Sequence, residues 1–316
     1  MGLRKWDAVI AALLAVAVVA VVIMLLPRDA PSTTPPAGSP RPSAPAPPTG
    51  PGALVVKIDN VSAARPQTGL GSASTVYVEP VEGGLTRLAA VYTGRLPDVV
   101  GPVRSARETD VQLLAAYRRP VLAHSGAAPE LRSLLARAPL VLASPRQAPG
   151  AYYRSGVRPS PHNLYLRPSL LPARTGASPA RSVGPAPPGG RPVGAQHVAY
   201  RAASYDFTWS ARAGRWLVSM DGTPLTSGES GRVGAATVVV QRVGLRGGSS
   251  VRDASGNASP VVRSVGSGDA VVLRDGRRFT ARWSRPDGSA PTTFTSTDGA
   301  RLPMARGPVW ILLVPG

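Results

Sequence analysis

A continuous apolar run near the N-terminus is the strongest pattern in the chain. Residues 8–26 are nineteen consecutive apolar residues without a charge. A helix of that length spans about 28 Å, which is close to the hydrocarbon thickness of a bilayer. Arg4 and Lys5 precede the run, so the positive-inside rule predicts that residues 1–7 are cytoplasmic and that the rest of the chain is outside. The alternative is a cleaved signal peptide, whose apolar region is normally shorter. We therefore expect a single-pass signal-anchor in the cytoplasmic membrane, with a transmembrane helix over residues 8–26.

The segment after this run has almost no residue that could be buried. Residues 27–52 consist mainly of proline, alanine, serine, threonine and glycine. Such a composition favours an extended, semi-rigid chain without a packed core. We predict a proline-rich stalk that separates the folded part from the membrane.

Residues 53–170 show mixed strand and helix patterns. β-branched and aromatic residues predict strands over 54–58, 76–81, 88–92 and 121–124. Glu82-Gly83-Gly84 is a turn sequence and predicts a hairpin between the second and third of them. Apolar spacing predicts helices over 108–118 and 129–138. This order favours an α+β domain with mixed layers.

The second half of the chain has a different pattern. Residues 171–194 contain six prolines and predict a linker between domains. Residues 195–316 are nearly all of β type, and their short apolar runs are separated by Asp-Gly pairs at regular intervals. We predict a mostly antiparallel β-rich C-terminal domain, with a hairpin over 209–220 that turns at Ala213-Gly214 and strands over 236–243, 270–273, 279–283, 292–294 and 309–314.

Composition adds a strong positive charge and excludes several chemistries. The net charge is +19, and all but two of the 36 basic residues are arginine. A GC-rich genome explains this bias, and an anionic partner is the functional alternative. The absence of cysteine excludes disulfides, a lipid-modified lipobox cysteine, thiol catalysis and cysteine-ligated metals. We expect no nucleic-acid partner, because the predicted topology is extracytoplasmic and aromatic residues are few.

The segment Arg104-Ser105-Ala106-Arg107-Glu108 is the best physical signal for a site. Ser105 followed by Glu108 predicts a capping box at a helix start, where free N–H groups attract anions. Arg104 and Arg107 would add two guanidinium groups to such an anion site. The alternative is that Asp59, Glu79 or Glu82 neutralises these arginines within the protein.

A second hypothesis is acid–base chemistry. Candidate catalytic residues are Glu82, His124 and His162, because histidines at strand ends and in loops are common in sites. The structural alternative is a pair of hydrogen-bonded imidazoles. Glu79 and Glu82 point to opposite faces of a regular strand, so we expect one of them to face Arg104 or Arg107. No nucleophile elbow or phosphate-binding loop is present, and we predict no cofactor and no metal.

Several sequence blocks resemble the YerB-like lipoprotein family, a bacterial envelope family with a domain of unknown function and a companion C-terminal domain. The blocks are Ile58-Asp59-Asn60, Ala64-Arg65-Pro66-Gln67, Val81-Glu82-Gly83-Gly84 with Thr86-Arg87, Gly101-Pro102-Val103-Arg104-Ser105-Ala106-Arg107, His124-Ser125-Gly126, Pro161-His162-Asn163, Arg274-Asp275-Gly276 and Val309-Trp310-Ile311. The resemblance covers about 54–316 and implies an α+β domain, a β-rich domain and an envelope location, but no activity. Our predicted ligand-binding residues are Asp59, Asn60, Arg65, Gln67, Glu79, Glu82, Thr86, Arg87, Arg104, Ser105, Arg107, His124, His162 and Asn163.

The chain departs from this family in two places. Many relatives have a lipobox cysteine, so here a protein anchor has to replace the lipid. Ala127-Ala128 stands where relatives often have Gly-Ser before the second helix, which removes a capping side chain. We predict a membrane-anchored envelope protein that binds an anionic ligand or cell-wall polymer. The alternative is an envelope hydrolase or transferase that uses a Glu/His pair.

Overall fold

The computed structural model describes residues 52–246, 251–252 and 256–316. The predicted membrane anchor and all but the last residue of the predicted stalk lie outside these ranges. Within them, no helix has both the length and the apolar character that a bilayer crossing requires.

The described chain is mostly β, with a few short helices. The strands are β1 (Leu54–Ile58), β2 (Thr75–Pro80), β3 (Thr86–Tyr92), β4 (Val121–Ala123), β5 (Val141–Ala143), β6 (Tyr152–Arg154), β7 (Leu164–Leu166), β8 (Arg191–Pro192), β9 (Ala195–Ala199), β10 (Ser204–Ser210), β11 (Arg215–Met220), β12 (Thr223–Pro224), β13 (Thr226–Ser227), β14 (Gly231–Arg232), β15 (Gly234–Ala235), β16 (Thr237–Val243), β17 (Leu245–Arg246), β18 (Val261–Val262), β19 (Gly266–Arg274), β20 (Arg277–Arg285), β21 (Thr293–Ser296) and β22 (Val309–Pro315). The α-helices are α1 (Glu108–Leu113) and α2 (Arg132–Arg137). Single 3₁₀ turns lie at Ser62–Ala64, Leu70–Ser72, Glu82–Gly84, Leu114–Tyr117, Pro129–Leu131, Pro149–Ala151 and Pro168–Leu170.

One eleven-stranded mixed sheet contains strands from both halves of the chain. Its order is β21-β20-β19-β16-β22-β2-β3-β1-β4-β5, and β8 pairs with β20. β22, the last strand in sequence, lies between β16 and β2 and is parallel to both. The two predicted domains are therefore continuous through this sheet, and the described residues form one compact unit. The predicted linker contributes β8 to the same sheet.

The two faces of this sheet are buried against different layers. Leu54, Val56 and Ile58 of β1 pack in a core that includes Tyr205 and Trp216 of a smaller antiparallel sheet formed by β9 to β12 and β15. Residues on the other face of the same strands, including Val55 of β1, pack in a core that includes Leu113 of α1 and Leu135 of α2. Alternation of side chains along each strand produces the two cores. The architecture is an α+β fold with a mixed sheet as the central layer.

The predicted hairpins are confirmed, and local chemistry explains them. β2 and β3 pair antiparallel across the Glu82–Gly84 turn, in which Gly83 and Gly84 both have positive φ. β19 and β20 pair across Asp275-Gly276, and both turn residues have positive φ, as a two-residue hairpin loop requires.

The predicted long helix over 108–118 is wrong in its extent. Regular α-helix is limited to the six residues of α1, and the chain continues as the 3₁₀ turn Leu114–Tyr117. The side chain of Arg285, which is 1% exposed, donates hydrogen bonds to the carbonyl oxygens of Gln112 and Leu113 at the end of α1. The same guanidinium donates to the carbonyl oxygens of Gly288 and Ala290 and to Ser264 Oγ. Arg285 therefore joins α1 to the second half of the chain.

Candidate functional site

A fully buried cluster of charges lies between the central sheet and α1. The ammonium of Lys57, on β1, donates to Glu79 Oε2 of β2 at 2.6 Å and to Asp110 Oδ1 of α1 at 2.7 Å. All three side chains are at most 1% exposed. Glu79 was a predicted site residue, whereas Lys57 and Asp110 were missed. The available signal was Lys57 itself, since a lysine inside the apolar strand Leu54–Ile58 needs a buried counter-charge.

One ammonium faces two carboxylates in this cluster, and the imbalance affects proton binding. Burial, reinforced by the negative charge of Asp110, raises the pKa of Glu79 to about 7 against the opposing effect of Lys57. Oε1 of Glu79 has no hydrogen-bond partner among the described residues.

His124 is also buried, and burial lowers its pKa. Its Nδ1–H donates to the carbonyl oxygen of Gly126, which fixes the neutral tautomer and leaves Nε2 without a partner in the described chain.

A pH-dependent stability is the expected consequence of the raised pKa of Glu79. The folded state binds the proton of the Glu79 carboxyl more tightly than the unfolded state does. The stabilisation that this proton provides is therefore complete below about pH 4.5 and is lost as the pH rises through about 7. Glu79→Gln removes the titration, and we expect the variant to lose less stability than wild type between pH 4.5 and 8, by on the order of 2 kcal/mol. Urea denaturation across this pH range measures the difference. Glu130→Gln, at an exposed position, is the control, and equal pH slopes for wild type and Glu79→Gln would contradict the assignment.

Arg107 is neutralised by Glu82, so the predicted alternative of neutralisation within the protein holds for this arginine. Its Nε and Nη2 atoms donate to the two oxygens of Glu82 at 2.6 and 3.0 Å in a bidentate pair. Burial alone would raise the pKa of Glu82, but the hydrogen bond and charge of Arg107 outweigh it and the pKa is lowered. The turn sequence Glu82-Gly83-Gly84 thus places a carboxylate directly beside the start of α1.

The predicted capping box is wrong. α1 begins at Glu108, and the backbone N–H of Arg107 donates to Asp110 Oδ2 at 2.6 Å, so Asp110 has the capping role. Ser105 lies outside the helix, with its Oγ 3.4 Å from Ser125 Oγ. A helix of six residues also has only a small dipole, which removes the main physical argument for an anion at its N-terminus.

Asp59 joins two more of the predicted residues. Its Oδ2 lies 2.8 Å from Nδ1 of His162 and 3.2 Å from Nε of Arg104. The Asp59 side chain is 4% exposed, whereas those of His162 and Arg104 are 21% and 30% exposed. A buried carboxylate therefore orients an imidazole and a guanidinium that both reach solvent.

The side chains around Asn60 form a buried polar network. The Nδ2 group of Asn60 donates to Thr86 Oγ1 at 2.7 Å and to the hydroxyl of Tyr205 at 2.6 Å. Gln67, which is fully buried, donates to Asn60 Oδ1 at 3.1 Å, and Arg65 donates to the Asn60 carbonyl oxygen at 2.7 Å. This network fixes the loop after β1 to the smaller sheet, and its buried members are positioned to stabilise the fold.

Arg87 provides positive charge without a matching carboxylate. It is 7% exposed and donates to the carbonyl oxygen of Ser105 at 3.1 Å. Among the described residues, no carboxylate lies within ion-pair distance of it. Burial, together with the positive charges of Arg107 and Arg104, lowers the pKa of Arg87 to about 10. Three guanidinium groups therefore share the space beside Ser105 with only two carboxylates, those of Asp59 and Glu82.

The structure brings some predicted residues together and separates others. Asn163 bonds to Arg154 and to the Ser155 carbonyl oxygen, which stabilises its own loop. The predicted Glu/His pair does not form, because both Glu82 oxygens bind Arg107 while His162 bonds to Asp59. In the described ranges, no three carboxylate or imidazole side chains are grouped as a metal site would need.

The fold defines an α+β protein whose two halves share one mixed sheet. Its clustered charges, those of Arg87, Arg104, Arg107, Asp59 and Glu82, lie around residues 104–108, which we call the Ser105 segment. Two family models match the chain: "Protein of unknown function (DUF3048) N-terminal domain" over residues 42–181 and the C-terminal domain of the same family over residues 196–311. The chain belongs to this family, the YerB-like family.

A relative from Bacillus subtilis illustrates the likeness in both sequence and structure. "Putative lipoprotein YerB" of strain 168 is 25% identical over 280 residues, which are 83% of this chain and 81% of the relative. The crystal structure of the YerB protein has a TM-score of 0.72 at 22% identity and covers 85% of this chain and 92% of its own. That structure supports the fold, and the relative's name is consistent with an envelope protein.

Proposed function

We propose that this protein is anchored in the cytoplasmic membrane by residues 8–26 and binds an anionic cell-wall component on the outer side of that membrane. The apolar run is long enough to span a bilayer, and the stalk at 27–52 would separate the folded part from the lipid surface. The relative from Bacillus subtilis is named a lipoprotein, which supports a position of the folded part on the outer side of the membrane. In this cysteine-free chain a protein segment would replace the lipid.

The observation that supports anion binding is the unbalanced positive charge beside Ser105. Arg87 and Arg107 are buried or nearly so, and Arg104 exposes 30% of its side chain. Asp59 and Glu82 neutralise two of these three charges, so one positive charge is left in a partly desolvated position. A phosphate or carboxylate at the exposed side of Arg104 would compensate that charge through short, charge-assisted hydrogen bonds.

Loss of Arg104 should therefore weaken binding of an anionic polymer specifically. For Arg104→Gln we expect a 10- to 100-fold lower affinity for soluble poly(glycerol phosphate), equivalent to about 1.5–3 kcal/mol for one charge-assisted contact. The full chain in phosphatidylcholine nanodiscs provides the protein, and isothermal titration calorimetry at several salt concentrations provides the affinity. Wild-type affinity should fall as salt rises, since each phosphate contact releases counterions or is screened.

The matched control is Arg212→Gln, because Arg212 is exposed on the β10–β11 turn and its loss changes the net charge equally. This variant should bind within twofold of wild type. If Arg104→Gln and Arg212→Gln lose the same affinity, binding reflects the overall charge of +19 and the proposed site is wrong.

The geometry does not favour the alternative of a hydrolase or transferase that uses Glu82. Its two oxygens already bind the guanidinium of Arg107, which lowers the pKa of the carboxyl and makes it a poor proton carrier at neutral pH. The buried His124 donates its Nδ1 proton to a backbone carbonyl, which is the pattern of a structural imidazole.

A further inference from the structure

A cavity of about 560 Å³ opens where three parallel strands of the central sheet end. Pro80 ends β2, Pro315 ends β22, and Arg242 is the next-to-last residue of β16. The Gly83-Gly84 turn, the β9–β10 turn and residues 257, 258 and 260 also contribute to its wall. Ligands of mixed and parallel sheets often bind outside the carboxyl ends of the strands, and this volume lies within the range of small-molecule sites.

The wall of this cavity is largely apolar. Pro80, Val81, Val314, Pro315 and Leu245 supply proline rings and aliphatic side chains. Leu245 is 40% exposed, so part of the apolar surface is in contact with water. Covering such surface with an apolar group is favourable by roughly 25 cal/mol per Å².

Two arginines line the same cavity and have no partner for their charge. The guanidinium groups of Arg201 and Arg242 are exposed, and neither has a hydrogen bond or an ion pair within the described ranges. The Arg201 side chain lies directly against Gly84: a Cβ atom on Gly84 would lie 2.6 Å from the Arg201 Cβ, and Gly84 has a φ of +79°. Ala202 N–H donates to the Gly84 carbonyl oxygen at 3.0 Å.

The hydroxyl of Tyr200, another lining residue, does not reach the cavity. Its Oη is inaccessible to solvent and has no hydrogen-bond partner among the described residues, and the ring packs edge-on against Tyr205 in the core. The exposed guanidinium groups of Arg201 and Arg242 are therefore the charged groups that a ligand in the cavity would reach.

We infer that this cavity binds an amphiphilic anion, in which a carboxylate or phosphate group is attached to a short apolar chain. The anionic group would contact Arg201 and Arg242, and the apolar part would cover the proline and valine side chains of the strand ends. This site is distinct from the Ser105 segment, because none of Arg87, Arg104 and Arg107 lines the cavity.

The test uses the full chain in phosphatidylcholine nanodiscs and four probes in isothermal titration calorimetry. Hexanoate and hexyl phosphate combine an anionic group with an apolar chain, whereas hexanol lacks the charge and inorganic phosphate lacks the chain. We expect at least one of the two amphiphilic anions to bind tenfold or more tightly than hexanol and inorganic phosphate. A preference for hexyl phosphate assigns a phosphate head, as in a lipid, and a preference for hexanoate assigns a carboxylate.

Variants locate the binding. Arg201→Gln with Arg242→Gln should weaken binding at least tenfold, whereas Tyr200→Phe removes a hydroxyl that the ligand does not reach and should bind within twofold of wild type. The control pair Arg212→Gln with Arg301→Gln removes the same charge from exposed positions outside the cavity and should bind as wild type does. Equal losses in the two double variants, or equal affinities for hexyl phosphate and inorganic phosphate, would overturn the inference. The Arg201 and Arg242 variants leave Arg104 intact, so a loss of binding in them is separate from any loss at the Ser105 segment.

Discussion

Replacing Lys57 by methionine is expected to destabilise the protein by about 3–5 kcal/mol, the usual cost of removing one partner from a buried ion pair. Lys57 is fully buried and is the cation that binds both Glu79 and Asp110. Methionine fills a similar volume, so the loss reflects charge rather than a cavity. After the change, two carboxylates would lie close together without a cation, and at least one would take up a proton. Urea denaturation of the wild type and the variant measures the loss.

A triple variant separates this electrostatic cost from packing. Lys57→Met combined with Glu79→Gln and Asp110→Asn removes every charge of the cluster, and we expect it to recover much of the lost stability, because no uncompensated charge stays buried. If the single variant were as stable as wild type, the short contacts of Lys57 would have no energetic role. Equal stability of the single and triple variants would instead attribute the loss to packing.

Replacing Arg285 by methionine is expected to cost about 3 kcal/mol or more. Its guanidinium donates to four carbonyl oxygens and one hydroxyl, and each buried acceptor left without a donor costs about 1–3 kcal/mol. The loss should be greatest at the end of α1 and in the loop over 286–290, because Arg285 connects these two segments. Urea denaturation gives the total, and amide hydrogen exchange shows where protection is lost.

Arg285→Lys distinguishes geometry from charge. Lysine retains the positive charge but cannot direct five donors in one plane, so we expect it to restore less than half of the lost stability. Full recovery with lysine would show that the charge alone is required. Arg278→Met, on the same strand and less buried, is the matched control and should change stability by less than about 1 kcal/mol.

Local patterns predicted the strands and hairpins well. β1 has the predicted bounds, and β2 is offset from its predicted range by one residue at each end. The Asp275-Gly276 turn was predictable because only residues that tolerate positive φ fit a two-residue hairpin loop. The shared sheet was not predictable, since Thr75 of β2 pairs with Val309 of β22 across more than two hundred residues of sequence. No local pattern specifies such a partner.

The candidate site could be predicted only in part, because local patterns do not specify contacts between distant segments. The sequence indicated that Glu82 or Glu79 would face an arginine, and Glu82 does bind Arg107. It did not indicate Asp110, because a carboxylate in the first turn of a helix is usually exposed and capping is its common role. The cavity beside Arg201 and Arg242 is formed by segments from both halves of the chain, so it follows only from their packing.

The position of β22 has a consequence for the order of events during synthesis. Residues 309–315 form a central strand far from β2 in sequence, so β2 and β16 cannot acquire their common neighbour until these residues have been synthesised. With the proposed membrane topology, the polypeptide would have to cross the bilayer as an incompletely folded chain, and the central sheet would be completed only after residues 309–315 emerged.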